Sequence, residues 1–278
     1  MDELEWTGER LVTSVQNETM VEHLQRYYFA QAYCHDKFVL DIASGEGYGT
    51  SILSRAARSV IGVDIDPASV KHASSKYGNE STEFIAGSAT RIPLNDNTVD
   101  VVVSFETIEH FDEHQVFINE VLRVLKPDGL FIVSSPDKKC YSEIKGYNNP
   151  HHVRELYEHE FVNLLSRNFT NVSTYHQRFV YGCLLVPVSG ASKMLRNTVS
   201  FQGCGNHDLE PEYILALATN TERSNIDKVG VFTDFSEQLS TYMANSNHLV
   251  WIRSSRMYAI YVYLKNICKI VKIPLRIG

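Results

Sequence analysis

The sequence is poor in cysteine, and its cysteines are not patterned. Cys34, Cys140, Cys183, Cys204 and Cys268 never stand as C-x-x-C. That excludes the spacing of a structural zinc site and points to a reducing compartment. Long apolar runs are missing too, since none reaches the ~18 residues that a spanning helix needs. The first ten residues, MDELEWTGER, are acidic and polar, so no secretory signal is expected. There is no internal repeat and no low-complexity tract. With 44% hydrophobic and 21% charged residues in a chain of 278, disorder and a small disulfide scaffold are excluded. A cytoplasmic globular protein is the expectation, with one sizeable domain plus appendages.

Charge is unevenly spread. The net charge is −7, which argues against a nucleic-acid partner. Yet residues 251–278 hold Arg253, Arg256, Lys265, Lys269, Lys272 and Arg276 and no acid. This tail also has helical period. Ile260, Tyr261, Leu264, Ile267, Cys268 and Val271 share one face, and Lys265, Lys269 and Lys272 lie opposite. Two readings stay open: a helix packing its apolar face on a domain, or a basic amphipathic helix making peripheral contact with an anionic membrane, such as the inner membrane surface.

Strand and helix patterns alternate through the middle of the chain. Residues 18–34 read as a helix. FVLDIA (38–43), SVIGVDI (59–65), TEFIAG (82–87), VDVVVSF (99–105) and LFIVSSP (130–136) read as strands, with helices between them. Asp66 and Pro67 form an N-cap and a first helical residue. A helix is expected over 154–168, then strands at 171–177 and 212–219. Such alternation predicts βαβ units and a doubly wound, mostly parallel seven-stranded sheet with helices on both faces. The stretch 183–211, with Pro187, Gly190, Gly203, Gly205 and Pro211, reads as a lid. The expected division is a helical cap (1–35), the α/β domain (36–235) and the basic tail (236–278).

The strongest local signal is Val39-Leu40-Asp41-Ile42-Ala43-Ser44-Gly45-Glu46-Gly47-Tyr48-Gly49, between a strand and a helix. Its glycines let backbone approach a ligand and turn sharply. Asp64 ends the next strand, where a carboxylate can bind ribose hydroxyls. Asp41 and Glu46 would repel a pyrophosphate, and Asp41 would attract the amino group of S-adenosylmethionine (SAM). The loop's charge therefore favours SAM over a dinucleotide.

With VLDIASGEGYG, VIGVDIDP, FIAGSATRIPL, VDVVVSFETIEHF and VLRVLKPDGLFIVSSP in that order, the chain resembles the class I SAM-dependent methyltransferases over about residues 36–180. The resemblance implies that Asp41, Gly45 and Gly47 hold the methionine part of SAM. It places Asp64 on the ribose, Ile65 against adenine, Ser88 and Ala89 at the adenine edge, and Phe105 and Glu106 beside the methionine moiety. Ser88 stands where the family often has Asp.

Methyl transfer from a sulfonium needs positioning and removal of a proton from the acceptor. Two clusters offer this. Glu106, Glu109 and His110 have i, i+3, i+4 spacing, so one helical turn would align them to hold Mg²⁺ or Mn²⁺. The spacing is similar to that of metal-assisted O-methyltransferases, including ubiquinone-pathway and small-RNA enzymes. The preferred reading is metal-free, with Glu106 on SAM and His110 as a base. The second cluster, Asn148-Asn149-Pro150-His151-His152-Val153-Arg154-Glu155, resembles N-P-x-H-x-x-E segments of UbiG-like and sugar-modifying methyltransferases, with His152 as the matching base. The segments WTGERLV, EHLQRY, EPEYILALATN and the tail resemble bacterial methyltransferases found alone or fused to glycosyltransferases in polysaccharide assembly. By that analogy Glu9, Arg10 and Arg26 line the SAM or acceptor pocket. The implied function is O-methylation of a sugar, on a nucleotide sugar or a surface glycan of the O-antigen type. A glycosyltransferase would be its partner or a fused domain. The alternatives are a metal-assisted small-aromatic O-methyltransferase and a non-catalytic SAM-binding or docking module.

Overall fold

The computed structural model of the chain describes residues 11–14, 18–180, 182–187, 211–221 and 231–232. All of them belong to one compact unit, Met1–Asp234. The expected tail, Glu9, Arg10 and residues 188–210 of the expected lid lie outside the described residues.

The strands are β1 (Phe38–Ile42), β2 (Ser59–Asp64), β3 (Thr82–Ala86), β4 (Val99–Ser104), β5 (Leu125–Pro136), β6 (Asn171–Val180), β7 (Gly182–Pro187), β8 (Tyr213–Thr219) and β9 (Val231–Phe232). The helices are α1 (Glu18–Gln31), α2 (Tyr48–Ser54), α3 (Pro67–Tyr77), α4 (His114–Val124) and α5 (Glu158–Ser166). The sheet order is β3-β2-β1-β4-β5-β8-β6-β7-β9. β1 to β5 are parallel, and β8 inserts antiparallel between β5 and β6. The seven expected strands thus form the run from β3 to β6. Two more strands lengthen it: β7, antiparallel to β6, and β9. Residues 183–187, expected to open an irregular lid, are strand instead. The apolar run Cys183-Leu184-Leu185-Val186 satisfies its backbone by pairing with β6.

Side-chain alternation divides the core into two layers. Leu40, Ile42, Val102, Phe131 and Val133 face Phe117, Ile118 and Val121 of α4 and Phe161 and Leu165 of α5. Val39, Val101, Val103, Leu130 and Ile132 face Tyr27 and Ala30 of α1 and Ile52 and Leu53 of α2. Burial on both faces is why β4 is an almost unbroken apolar run. Among the described residues, no helix is long and apolar enough to cross a membrane.

The start of α3 follows the sequence signal. Asp66 accepts from the Ala68 and Ser69 amides, with Pro67 next. α5 departs from expectation by starting at Glu158, not 154. The Val153 and Arg154 amides donate to the Glu109 carbonyl, and the Lys138 amide donates to the Leu156 carbonyl. Residues 153–156 are therefore held as a strap across the ends of β4 and β5.

Packing of α1 on α2 depends on Gly49. A Cβ there would stand 2.0 Å from the Tyr27 ring, and Tyr27 is buried. Gly49→Ala is expected to lower stability by about 1–3 kcal/mol through overpacking, read as a lower denaturant midpoint.

Candidate active site

A cavity of about 270 Å³ opens at the carboxyl ends of β1 and β4, the place where parallel α/β sheets put ligands. One wall is the glycine loop, with Ala43, Ser44, Gly45 and Glu46. Phe105 and Glu106 follow β4, and Glu109 and His110 stand on the 3-10 turn Ile108–His110. Tyr141, Tyr147, Asn149 and His152 come from the segment after β5, and Leu11, Thr19, His23, Tyr27, Tyr48 and Tyr213 complete the lining.

The loop turns by left-handed backbone. Ala43 has φ 58, Gly45 φ 55 and Gly47 φ 93. At Gly47 a Cβ would also lie 2.7 Å from the Ala73 Cβ, so only glycine suits it. Asp64 pins the loop. Its Oδ2 accepts from the Gly45 amide at 2.8 Å, and its Oδ1 from the Asp66 amide at 2.9 Å. Glu46, nearly fully buried, accepts from Thr13 Oγ1 at 2.8 Å, Tyr77 OH at 3.2 Å and Lys76.

Asp41 does not line the cavity. Strand alternation points it into the α1/α2 layer, where it accepts from Thr50 Oγ1 at 2.6 Å and Tyr27 OH at 3.3 Å. Burial raises its pKa to about 7, against the lowering effect of those two hydrogen bonds. Its place beside the glycine loop is at the end of β1, behind the cavity lining. Arg26 is likewise behind the wall. It is fully buried, donates from Nη1 to Glu106 Oε1 at 2.6 Å and lies 4.6 Å from the Tyr213 ring centre. Its Nε and Nη2 have no protein partner. Asp64, Ile65, Ser88 and Ala89 follow the ends of β2 and β3 on the same sheet edge, outside the cavity lining. Ile65 is 73% exposed, an apolar side chain left at the rim beside the loop.

Glu106 corrects the expectation of one helical turn over 106–110. It has φ 51, so it stands outside the turn that carries Glu109 and His110. Ser134 holds it there, accepting from its amide at 3.2 Å and donating to its Oε1 at 2.6 Å. The residues that do converge are Glu109, His110 and His152, whose ligating atoms all lie within 4.8 Å of one another. The strap explains this: two amides on the Glu109 carbonyl draw His152 to His110, with ring centres 5.3 Å apart. Glu109 is nearly fully buried, and neither carboxyl oxygen has a hydrogen-bond partner. Burial, then the neighbouring Glu106, push its pKa well above the usual carboxylate range.

His152 makes two contacts that its motif did not fix. Nδ1 lies 2.6 Å from Glu155 Oε1, and Nε2 lies 2.9 Å from Asn149 Nδ2. Its ring stacks on Tyr141, with centroids 5.4 Å apart. Sequence reasoning missed Glu155, Asn149, Tyr141, Tyr147, Tyr213 and His23 as site residues. The first two were signalled within N-P-x-H-x-x-E. The tyrosines carry no local pattern.

Glu22 lies one helical turn before Arg26. Burial is the largest effect on it and raises its pKa to about 8, with Arg26 opposing. The raised value means that its contribution is full below the ordinary carboxylate pKa and is lost as pH rises toward 8. Glu22→Gln is expected to melt above the wild type at pH 8 and alongside it near pH 4, measured by thermal denaturation across pH.

Residues 40–133 match the family described as "Methyltransferase domain". Over that segment the chain is similar to methyltransferase domains, and its sheet has the class I methyltransferase fold. A probable SAM-dependent methyltransferase of Mycolicibacterium smegmatis is 37% identical over 162 residues, 57% of this chain and 62% of that protein. The chain thus spans less than two thirds of that relative's length. A fatty-acid O-methyltransferase of the same organism is 32% identical over 105 residues, 37% of this chain and 38% of its own. A solved structure from Thermotoga maritima, titled a SAM-dependent methyltransferase and possible histamine N-methyltransferase, shares the fold. Its TM-score is 0.53 at 18% identity, covering 73% of this chain and 90% of that one. The matched segment includes the glycine loop and the residues after β4 that face the cavity.

The site suits SAM on its own chemistry. Ser44 Oγ is buried without a protein partner in the loop, and the left-handed turn leaves no side chain at Gly45. Glu46 and Glu106 line that part of the cavity, each already paired with a cation, Lys76 and Arg26.

Proposed function

We propose that the chain transfers the methyl group of SAM to a hydroxyl of a sugar, borne on a nucleotide sugar or a surface glycan. The observation that carries this reading is that one cavity joins the glycine loop to His152, which is paired with the half-buried Glu155. SAM supplies an activated methyl on a sulfonium. Ser44, Gly45, Phe105 and Glu106 would hold its methionine part, and Asp64 and Ile65 the nucleoside. Among this chain's groups, His152 takes the proton from the acceptor hydroxyl, the step a weak nucleophile requires. The faces of Tyr141, Tyr147 and Tyr213 receive a ring. Glu109, His110 and Asn149 supply hydrogen bonds to its other oxygens.

A fatty acid is the rival acceptor class, suggested by the name of one relative. Its apolar chain is poorly served: among the described residues lining the cavity, only Leu11 and Ala43 are aliphatic. A divalent cation such as Mg²⁺ is the second mechanistic reading, favoured by the convergence of Glu109, His110 and His152. These three would hold it in place of Glu106. The cytoplasmic location, a glycosyltransferase partner and membrane contact through the tail belong to this proposal as well.

The test is incubation with methyl-labelled SAM and a panel of nucleotide sugars, lipid-linked glycans, fatty acids and catechols, each with and without EDTA. Label on a sugar that survives EDTA supports the metal-free base. Label only on fatty acids or catechols overturns the sugar assignment, and loss of all transfer in EDTA moves the chemistry to the cation.

A further inference from the structure

The hydrogen bonds around His152 fix its tautomer by a closed chain of donors and acceptors. The His151 amide can only donate, and it donates to Asn149 Oδ1 at 3.1 Å. That sets the orientation of the Asn149 amide, so Nδ2, which can only donate, is the atom facing His152 Nε2 at 2.9 Å. Nε2 must therefore accept. The ring proton sits on Nδ1, and it is donated to Glu155 Oε1 at 2.6 Å. The side chains of His152 and Glu155 are 8% and 9% exposed, so water has little access to this bond. Tyr141 stacked on the ring blocks its rotation.

From this geometry the structure assigns Glu155 as the positioning residue of the base, holding His152 in the Nδ1–H tautomer with Nε2 as the proton acceptor. Asn149 is its partner on the other side. It keeps Nε2 in an acceptor role and gives up its place when an acceptor hydroxyl arrives. The tautomer of an imidazole follows from the hydrogen bond that its other nitrogen makes. Without the carboxylate, nothing on the Nδ1 side prefers a proton there. The assignment rests on the reading of His152 as the base, but its spectroscopic part does not.

The experiment uses the full chain labelled with ¹⁵N-histidine. Long-range ¹H–¹⁵N spectra identify each ring's tautomer, and His152→Ala identifies the signals of His152. The expected result is an Nδ1–H tautomer for His152 with a far-downfield Nδ1 proton. Glu155→Ala should abolish that proton signal and mix the tautomers, and Glu155→Asp should restore both. Alongside, Glu155→Ala should lower kcat about a hundredfold, with KM little changed, and Glu155→Asp should recover part of it. Should Glu155→Ala fail to fold, Glu155→Leu or Glu155→Gln gives the same two readouts in a filled site. An Nε2–H tautomer in the wild type overturns the assignment, as does a tautomer unchanged in both Glu155→Ala and Glu155→Leu. Full activity in His152→Ala with the Nδ1–H tautomer seen in the wild type would instead sink the base reading and leave the positioning intact.

Discussion

His152→Ala is expected to lower methyl transfer by a factor of about 10² to 10⁴ while leaving cofactor affinity unchanged, the signature of losing a general base. The two halves of that expectation come from different elements. His152 stands on the strap after β5, tied to Glu109 by backbone, and makes no hydrogen bond to the glycine loop. The loop is held instead by Asp64. Removing the imidazole also leaves Glu155 buried without its donor, so some stability is lost, and activity must be compared at a temperature where both proteins are folded. Single-turnover transfer of labelled methyl to whichever acceptor the panel finds checks the rate. Binding of S-adenosylhomocysteine checks the affinity.

Asp64→Ala is expected to weaken cofactor binding at least about a hundredfold. The carboxylate accepts two backbone amides, from Gly45 and Asp66, and hydrogen bonds to a charged group contribute roughly 1.5–3 kcal/mol each. Losing the Gly45 bond frees the left-handed turn at Gly45 and Gly47, which is the surface the cofactor needs preformed. α3 keeps its own cap, since Asp66 accepts from Ala68 and Ser69 with its side chain. The variant should thus stay folded and bind poorly. Asp64→Asn keeps an acceptor oxygen and should fall between the two. Calorimetric titration with S-adenosylhomocysteine measures all three proteins.

The legible parts of this molecule are those where neighbours in sequence do the work. β1, the glycine loop and Asp64 follow from apolar runs, a left-handed turn and a terminal acid, all local. The Asp66–Pro67 start of α3 is local too. What was not legible depends on distant partners. The partners of Asp41, Thr50 and Tyr27, lie on α2 and α1, and its place before the turn does not name them. Glu106 reads as part of a helical turn, yet Ser134 on β5, 28 residues away, holds it in a left-handed conformation. The expected trio of Glu106, Glu109 and His110 therefore becomes Glu109, His110 and His152. Spacing alone does not show that the Glu109 carbonyl binds the strap. Residues 183–187 read as lid because of the glycines and prolines that follow them, and their pairing with β6 is set by tertiary contact.

The glycine loop and His152, the proposed base, share one cavity. The most direct test of a shared site is titration of the ¹⁵N-histidine-labelled protein with S-adenosylhomocysteine. His23 and His152 line that cavity, whereas His159 is exposed at the start of α5. Saturable binding that shifts the ring signals of His23 and His152 and leaves His159 unmoved is the expected result. Absence of binding, or saturation with His152 unmoved, would contradict a shared site.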